Sequence, residues 1–458
     1  MLLVKWFGVS TELDIFLASG TINIILVSIT SNALSYSLTP IIINTNNSIE
    51  RSNLLSTTIF FTIFIFLALA IIQDYCSDFI VSLLYPGLAN RNLDLLSEMY
   101  SLYAYISILS VLNGAFTAIC YANEKLIRTV FVPIIAMAAQ IIILYLSNNR
   151  DVELIVISYA VNQLIIAIFL GGICLKELSF NIKIDDRFLS LKNNTIPLLL
   201  SSFVSKSDLI VDRNLLSNLS AGLISSLHYG QLFVNSGLSI LTKGLSVVSL
   251  TKLSRLHKVN EYKFELYLNV ILKYLFVFLI YTQFTFVINA HGIIYFLFGC
   301  DDYDIDIDFI SKIVICLSGM FFGGALSTVI VNAYYVKGFN SFVAKVSIIL
   351  HIIGLIAKIA LFKVYGFYVI PIVFSVKSII NFLVLFFYYN ISIRSGVFRF
   401  DINYVVKLAV FISVLIIMQF ASSVYDSNVL FNMLLGTLMF GIFYFKELLL
   451  LSKDSYVS

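Results

Sequence analysis

The sequence predicts an all-α polytopic membrane protein, and three observations lead to that prediction. Hydrophobic residues make up 60% of the 458-residue chain, and charged residues only 12%. The mean hydropathy of +0.97 leaves too little polar surface to cover a water-soluble fold. The apolar runs are continuous over about 18 or more residues, whereas the strands of a membrane β-barrel alternate over segments of about 10.

Individual helices are predicted from apolar runs long enough to cross the hydrocarbon core of a bilayer, which takes about 20 residues. The stretches between these runs are short, so we expect no sizeable soluble domain. About thirteen transmembrane helices are predicted, at 15–42, 55–73, 100–122, 129–146, 154–174, 196–215, 228–250, 267–289, 309–332, 342–362, 366–389, 404–421 and 428–447.

The distribution of Lys and Arg predicts the orientation of the chain. Short cytoplasmic loops carry an excess of these residues. The loops on the opposite side, such as 74–99 and 300–309, are acidic or poor in them, so we expect them to face outward. The net charge of +3 then reflects orientation in the membrane and not a nucleic-acid site. The C-terminus is expected on the cytoplasmic side. The Lys and Arg residues that mark this side are Lys125, Arg128, Lys176, Lys183, Arg187, Lys192, Lys252, Arg255, Lys258, Lys263, Lys337, Lys345, Arg394, Arg399, Lys446 and Lys453.

Several chemistries lack their signatures in this sequence. The five Cys contain no Cys-x-x-Cys pair, and the four His are not spaced as metal ligands. Motifs for nucleotide binding and for a serine nucleophile are also missing. We therefore expect no metal site, no cofactor and no enzymatic activity, and the identity of any coupling ion stays open.

An internal repeat favours a transporter over a scaffold. Residues 115–146 and 326–361 share one layout, in which a span rich in small residues is followed by an aromatic and basic turn and then an apolar span. An even number of predicted spans separates the two segments, so both run in the same direction through the membrane. Parallel repeats of this kind are typical of transporters whose two halves meet around a central path.

Several sequence blocks, in this order and spacing, resemble the MviN/MurJ-type flippases of the multidrug/oligosaccharidyl-lipid/polysaccharide exporter superfamily. The resemblance extends over most of the chain, up to about residue 390. The blocks are KWFGVSTELDIFLASGTIN (5–23), LLYPGL (83–88), SILSVLNGAFTAICYANEKLIRTVFVPIIAMAAQIII (107–143), VDRNLLSNLSAGLISSLHYGQLF (211–233), KLSRL (252–256) and NAYYVKGF (332–339).

The resemblance implies a fourteen-helix fold, with two pseudo-symmetric six-helix lobes and two further helices. Here the lobes would be 1–175 and 196–389, with 176–195 as the cytoplasmic linker between them. Residues 390–458 would supply the two extra helices and a cytoplasmic tail. We count thirteen spans because the first family helix is expected to be shortened at this N-terminus.

The resemblance also implies a function. Family members move undecaprenyl-linked sugars, such as lipid II or polysaccharide repeat units, across the bacterial inner membrane by alternating access. The expected partners are therefore a lipid-linked oligosaccharide substrate, membrane lipid and polysaccharide-assembly enzymes, and no nucleic acid.

Ionisable residues inside the predicted spans are the site candidates. Charged groups at bilayer depth cost about 3 kcal/mol or more each and normally face a cavity or a partner. We predict that three cations, Lys206, Arg213 and Lys243, bind the phosphates or sugar carboxylates of the substrate. Asp208 and Asp212, four residues apart on one helix face, would pair with these cations or couple to an ion. The alternative is a structural set of salt bridges near the outer helix ends.

Two further candidates come from the resemblance alone. Asp14 matches the acidic position at the start of the family's second helix. Asn23 matches the asparagine of the family's Pro-Asn pair, although Ile22 replaces the proline here. Both are expected to belong to the substrate-binding site.

Two other functions compete with flipping. A cation or drug exporter of the same superfamily would need an acidic cavity without the cationic patch. A membrane oligosaccharide polymerase would place catalytic carboxylates, His or Arg in long loops. The outward loops here are short and carry only Arg91 and His291 as lone candidates, which makes the polymerase the less favoured of the two.

Overall fold

The computed structural model describes residues 7–43, 45, 47–147, 151–179, 182–298 and 306–393. All regular secondary structure in these ranges is helical. The helices are α1 (Thr11–Ser19), α2 (Thr21–Ile43), α3 (Ser48–Tyr75), α4 (Ser77–Leu84), α5 (Pro86–Ala89), α6 (Leu93–Ala122), α7 (Leu126–Leu146), α8 (Val152–Cys174), α9 (Asp186–Ser217), α10 (Leu223–Val259), α11 (Glu261–Phe298), α12 (Ile307–Val336), α13 (Asn340–Tyr365) and α14 (Val369–Tyr388).

The predicted all-α membrane fold is confirmed. Nine of the first eleven predicted spans each lie within one helix, which is longer than the apolar run because polar caps and end turns extend it. The span 15–42 covers α1 and α2, and the span 366–389 covers a 3₁₀ turn and α14. For example, Asn47 and Asp306 accept hydrogen bonds from the first turns of α3 and α12. The two predicted spans 404–421 and 428–447 lie outside the described residues.

Nine helical stretches in the described ranges are long and apolar enough to cross a membrane. One of them, Asn340–Ile391, contains both α13 and α14. A short 3₁₀ turn separates these two helices, and it begins at Gly366, whose φ of 63° is in the left-handed region that glycine adopts readily. Helix α9, which carries seven Asp, Lys and Arg residues, is not among the nine stretches.

The described residues form two compact units. Val9–Ser225 contains α1 to α9, and the boundary falls in the first turn of α10. In this first unit α6 packs against α2, α3 and α8. The contact with α2 is close, since a Cβ added to Gly114 would lie 2.5 Å from the side chain of Ser31. Helix α9 packs on α2 within the same unit. The predicted lobe boundary at 176–195 stays a prediction.

The second unit contains the described residues from Ser226 onward, together with Phe7 and Gly8. Here α12 is the central helix and packs against α11 and α14. At Gly323 an added Cβ would lie 2.5 Å from the backbone of Ser378, so this glycine permits the close approach of α12 to α14. The core contains residues of α10, α11 and α12, among them Leu253, Phe264 and Ala325.

The two units repeat one turn at the end predicted to face the cytoplasm. Helices α6 and α12 are both 30 residues long, and their C-caps are Asn123 and Lys337. The next residue has a left-handed backbone in each case, with φ of 58° at Glu124 and 80° at Gly338. The same turn therefore connects corresponding helices in the two halves that the sequence repeat indicated.

In the first unit this turn is held by the Arg51 cluster, which we define as Arg51, Asn123 and Glu177. The Arg51 guanidinium lies 2.8 Å from Oε2 of Glu177 and also donates to Oδ1 of Asn123. Asn123 in turn donates to Oε1 of Glu177 over 2.7 Å. The cluster thereby joins the start of α3 to the ends of α6 and α8.

In the second unit the corresponding turn is held by the Lys337 cluster, which we define as Lys337, Glu261, Glu265 and Tyr389. Lys337 Nζ lies 2.6 Å from Glu265 and 3.1 Å from Glu261. The hydroxyl of Tyr389 donates to the same Glu265 oxygen over 3.0 Å. The start of α11 is thus joined to the ends of α12 and α14, but with the cation now on the turn.

Candidate functional site

Helix α9 carries four of the predicted site residues. Asp208, Asp212 and Arg213 are buried, whereas Lys206 is exposed. The two aspartates therefore share a buried face, as expected from their four-residue spacing. The structure places them inside the first unit, and their predicted role in ion pairing or coupling stays a prediction.

Arg213 is buried and contacts a residue of its own unit. Its guanidinium donates a hydrogen bond to the hydroxyl of Thr21 on α2, and that hydroxyl donates to the carbonyl of Leu17 over 3.0 Å. Arg213 therefore connects α9 to the junction of α1 and α2. In this conformation it supports the packing of the unit, and its predicted contact with substrate phosphates stays a prediction.

Asp14 lies in α1, close to the start of α10. Its two carboxylate oxygens accept hydrogen bonds from the backbone N–H groups of Gly222 and Ser225, over 2.6 and 2.7 Å. These N–H groups have no partner within the helix, because they precede or begin its first turn. A carboxylate at this position caps the helix and is favoured by its dipole. The structure thus gives Asp14 a capping role.

Asn23 is buried in α2, where its side-chain nitrogen donates to the carbonyl of Tyr100 on α6 over 3.5 Å. The contact joins two helices of the first unit. Its expected part in substrate binding, which the resemblance implied, stays a prediction.

Lys206 and Lys243 are the two predicted cations with exposed side chains. Each lies more than ten residues from either end of its helix, Lys206 in α9 and Lys243 in α10. An exposed lysine this far inside a membrane helix normally faces water or a polar ligand and not lipid. Their placement leaves both ammonium groups accessible to an anionic ligand.

The structure also shows a feature that the sequence analysis missed. Gln231, Asn235, Ser239 and Lys243 follow one another at intervals of four along α10, so each is the surface neighbour of the preceding one. We call these four residues the polar row of α10. The last three are exposed and Gln231 is half-buried. A signal was present in the sequence, since four polar residues at helical spacing interrupt the predicted apolar span 228–250.

Three members of the polar row, Gln231, Asn235 and Ser239, line a cavity of about 310 Å³. His228, Leu232 and Ser236 complete its lining. Amide, imidazole and hydroxyl groups both donate and accept hydrogen bonds, as the hydroxyl groups of a sugar require. The helix has no Asp or Glu along its whole length, so the wall of this cavity suits a neutral or anionic ligand.

A second feature outside the predicted set is Lys358, which is fully buried in α13. Its ammonium lies 3.8 Å from the ring centroid of Phe374 on α14, and that of Lys377 lies 5.1 Å from the same ring. Both contacts are close enough for cation–π attraction. A buried lysine within a membrane helix is a functional candidate by default.

In the described ranges, no group of three or more His, Cys, Asp or Glu residues is placed to hold a metal ion.

The sequence profile described as "Lipid II flippase MurJ" matches residues 3–441, which is nearly the whole chain. The chain belongs to the MurJ lipid II flippase family. A solved structure of a MurJ lipid II flippase in an inward closed conformation superposes with a TM-score of 0.81 at 23% identity, covering 98% of this chain and 95% of that one. A comparison with curated proteins finds no match.

More distant likenesses connect the MurJ fold to drug transporters. An inward-facing multidrug resistance MATE family transporter of the MOP superfamily has a TM-score of 0.68 at 11% identity, covering 84% of this chain and 91% of that one. A MOP superfamily transporter from Pyrococcus furiosus has a TM-score of 0.51 at 14% identity, covering 84% and 87%. At these identities the likenesses show the fold alone.

Proposed function

We propose that this protein flips an undecaprenyl-linked sugar intermediate across the bacterial inner membrane, either a lipid II-like molecule or a polysaccharide repeat unit. Membership of the MurJ family supports the reaction class. The polar row of α10 is the observation that carries the substrate class, because it combines neutral hydrogen-bonding groups with one cation. A sugar would lie against Asn235 and Ser239, and a phosphate of the carrier lipid against Lys243.

The proposed transport is alternating access, in which the substrate biases an equilibrium between two states of the transporter. The two lobes would be 1–175 and 196–389, joined by the linker 176–195, and residues 390–458 would add two helices and a cytoplasmic C-terminus. A reporter fused to the C-terminus, active only in the cytoplasm, tests that orientation.

Export of a small cation or drug is the competing function on the same fold. A cationic substrate favours a carboxylate in its binding site. The polar row instead ends in a lysine, and α10 has no acidic residue at all. The charge of this helix therefore favours the lipid-linked sugar.

Complementation of two conditional bacterial strains tests the proposal. One strain lacks its lipid II flippase, and the other lacks the flippase of a surface polysaccharide. Rescue of the first indicates a lipid II-like substrate, and rescue of the second alone indicates a polysaccharide repeat unit. Rescue of neither strain by folded protein in the membrane would refute the proposal, and drug efflux would then be measured.

Variants of the polar row then locate the site. Lys243→Ala should reduce flipping of a fluorescent lipid-linked sugar in proteoliposomes by roughly 10-fold to 100-fold, since a hydrogen bond to a charged group contributes about 1.5–3 kcal/mol. Asn235→Ala should reduce it by roughly 2-fold to 10-fold, since a neutral hydrogen bond contributes about 0.5–1.5 kcal/mol. Lys258→Ala is the matched control, because Lys258 is exposed near the end of the same helix. Unchanged flipping by Lys243→Ala would remove the polar row from the substrate path.

The predicted coupling role of Asp208 and Asp212 is tested in the same proteoliposomes. Transport is compared with and without a proton or sodium gradient, for the wild type and for Asp208→Asn and Asp212→Asn. Loss of the gradient dependence with flipping retained is the result expected of coupling residues. An equal fractional loss of flipping with and without the gradient would instead indicate a structural role. Co-purification of polysaccharide-assembly enzymes would test the remaining expected partner.

A further inference from the structure

The Arg51 cluster borders a cavity of about 490 Å³ at the end of the first unit that is predicted to face the cytoplasm. Most of the cavity wall belongs to the first two turns of α3, and the rest comes from the C-cap of α6 and the segment that follows α8. Helix α3 is long and apolar enough to cross a membrane, so its first turns are expected at the depth of the lipid headgroups. The lining residues are Ser48, Ile49, Arg51, Ser52, Asn53, Asn123, Glu177 and Ser179.

Two side chains of this wall keep hydrogen-bond donors without a partner. Asn53 is only 8% exposed, and its Oδ1 accepts a hydrogen bond from the hydroxyl of Ser179 over 3.1 Å. Its amide nitrogen donates to none of the residues that the structure describes. Arg51 uses Nη2 for both of its contacts in the cluster, and its buried Nε has no partner in the same part of the chain. Because unpaired buried donors are costly, both residues favour a ligand that accepts hydrogen bonds.

The first turns of α3 add further donors to the same wall. The hydroxyls of Ser48 and Ser52 are four residues apart on one helix face, and neither is hydrogen-bonded within the described ranges. Asn47 accepts a hydrogen bond from the N–H group of Ile49 over 3.0 Å, which satisfies one of the N–H groups of the first turn. The start of a helix favours negative charge and is a frequent phosphate site. This side of the cavity therefore suits a phosphate group.

The other side of the cavity carries a carboxylate. Glu177 accepts one hydrogen bond on each oxygen, from Arg51 over 2.8 Å and from Asn123 over 2.7 Å, and each oxygen can accept one more. The neighbouring Glu50 lies outside the lining and is paired with Arg187 over 2.5 Å. The lining thus presents one guanidinium and one carboxylate side by side. This arrangement complements a zwitterion, whereas Glu177 would repel a simple anion.

We propose that this cavity binds the headgroup of a zwitterionic phospholipid with a primary ammonium group, as in phosphatidylethanolamine. The phosphate lies against Arg51, Asn53 and the first turn of α3, and the ammonium group donates to Glu177. Ile49 supplies an apolar contact for the lipid chain, since its side chain is 69% exposed on the cavity wall. The proposal is independent of the transported substrate.

A bound headgroup joins three segments that are distant in the sequence, which are the start of α3, the turn after α6 and the segment after α8. A ligand that binds only the folded protein stabilises it by mass action. The lipid is therefore a structural partner of the first unit. Phosphatidylcholine lacks this contact with Glu177, because its ammonium group is fully methylated and has no N–H to donate.

Carbodiimide cross-linking of the full-length protein locates the headgroup without any variant. The reagent activates a carboxylate, a touching primary amine attacks it, and an amide forms while the reagent leaves as a urea. Delipidated protein in detergent is treated with the reagent and short-chain phosphatidylethanolamine, then digested for mass spectrometry. We expect the lipid amide on Glu177 roughly 10-fold more often than on Glu124, which is exposed on the neighbouring turn, because binding concentrates the amine at Glu177. Equal labelling of the two residues, or none at Glu177, would overturn the proposal.

Two further ligands distinguish the chemistry and its source. Soluble phosphoethanolamine at the same concentration should label Glu177 far less than the lipid does; equal labelling would show a soluble ligand and overturn the lipid assignment. Phosphatidylglycerol with the same chains, added in equal amount, should leave most of the labelling. Complete suppression by this lipid would show that the cavity prefers an anion, against the role given to Glu177.

An isosteric variant tests the phosphate side. Asn53→Asp keeps the oxygen that Ser179 contacts but replaces the unpaired N–H donor by an oxygen that repels phosphate. It should raise the lipid concentration that gives half-maximal labelling of Glu177 by roughly 10-fold to 100-fold. Asn90→Asp is the matched control, because it makes the same charge change at an exposed position of the same unit, and it should behave as the wild type. Wild-type labelling by a folded Asn53→Asp protein would contradict the proposal.

Discussion

The Lys337 cluster offers a quantitative test of how the second unit is stabilised, through the single change Lys337→Met. The side chain of Lys337 is 6% exposed and that of Glu265 is 7% exposed, and Nζ lies 2.6 Å from the carboxylate. The ammonium also lies 5.1 Å from the ring centroid of Phe264 and 5.2 Å from that of Tyr389. Methionine keeps the length of the stem that packs on these rings but removes the charge.

The expected cost of this change comes from the carboxylate that stays behind. Glu265 would keep the hydrogen bond from Tyr389 but lose its cation while still buried. Removing one partner of a buried ion pair costs about 3–5 kcal/mol. The contact with the exposed Glu261 adds at most about 1 kcal/mol. With about 2–4 °C of Tm per kcal/mol, we expect the Tm to fall by roughly 6–20 °C.

A double variant separates the lost attraction from the uncompensated charge. Lys337→Met combined with Glu265→Gln removes both charges, and replacing a whole buried pair by neutral groups is often close to neutral in stability. We therefore expect the double variant to recover most of the lost Tm. Lys258→Met is the matched control, because Lys258 is exposed, and its Tm should stay near that of the wild type.

The assay is thermal unfolding of the full-length protein in one detergent, followed by intrinsic fluorescence and by the loss of the monodisperse peak in size-exclusion chromatography. Two results would refute the reasoning. One is a Lys337→Met protein whose free energy of unfolding is within about 1 kcal/mol of that of the wild type. The buried pair would then contribute no more than an exposed ion pair does. The other is a double variant as unstable as the single variant.

Five further substitutions are tested by the same thermal assay. Asp14→Ala removes the acceptor of two backbone N–H groups and should cost about 2 kcal/mol or more, because charge-assisted caps are the strong ones; a neutral result would contradict the capping role. Gly87→Ala places a Cβ 1.8 Å from a backbone carbonyl oxygen and should be strongly destabilising, whereas Gly172→Ala, with open space around it, should be tolerated; equal effects would argue against this packing. Glu124→Gly should stabilise by about 1 kcal/mol, since its left-handed backbone with φ of 58° favours glycine; a loss of stability would show a role for its side chain. Lys358→Met should lower the Tm, because it removes the cation–π contact with Phe374 from a fully buried position; an unchanged Tm would show that the ammonium group does not stabilise the fold.

The positions of the helices could be predicted because the thickness of a bilayer sets the length of a crossing helix. Any crossing helix needs about 20 apolar residues with all backbone hydrogen bonds made internally, so apolar runs mark helices without reference to any other part of the chain. The predicted helix ends were less accurate than the predicted positions, because α10 and α11 continue as helix well past their apolar runs into polar sequence. The separation of α13 from α14 was also predicted, as the two spans 342–362 and 366–389.

The candidate site was predictable only in part. Charged residues inside apolar runs directed attention to Lys206 and Lys243, and both are exposed within their helices. The polar row of α10 is visible in the sequence as four polar residues at four-residue spacing. Only its last member, Lys243, is charged, so the search for charged residues missed the other three. Arg213 looked the same in the sequence as the two lysines, and the structure buries it against Thr21.

The sequence by itself determined that this protein is a helical membrane protein, where its helices run, and that it contains a parallel repeat, because each of these follows from short-range hydropathy and local pattern. Only the tertiary structure decided the partners of its charged residues. Asp14 reaches the backbone of Gly222 and Ser225, more than two hundred residues away in the chain. Similarly, Lys337 is buried with Glu265, whereas Lys243 is exposed. The physical reason is that the cost or value of a charge depends on its surroundings, and those surroundings are created by helices that are distant in the sequence.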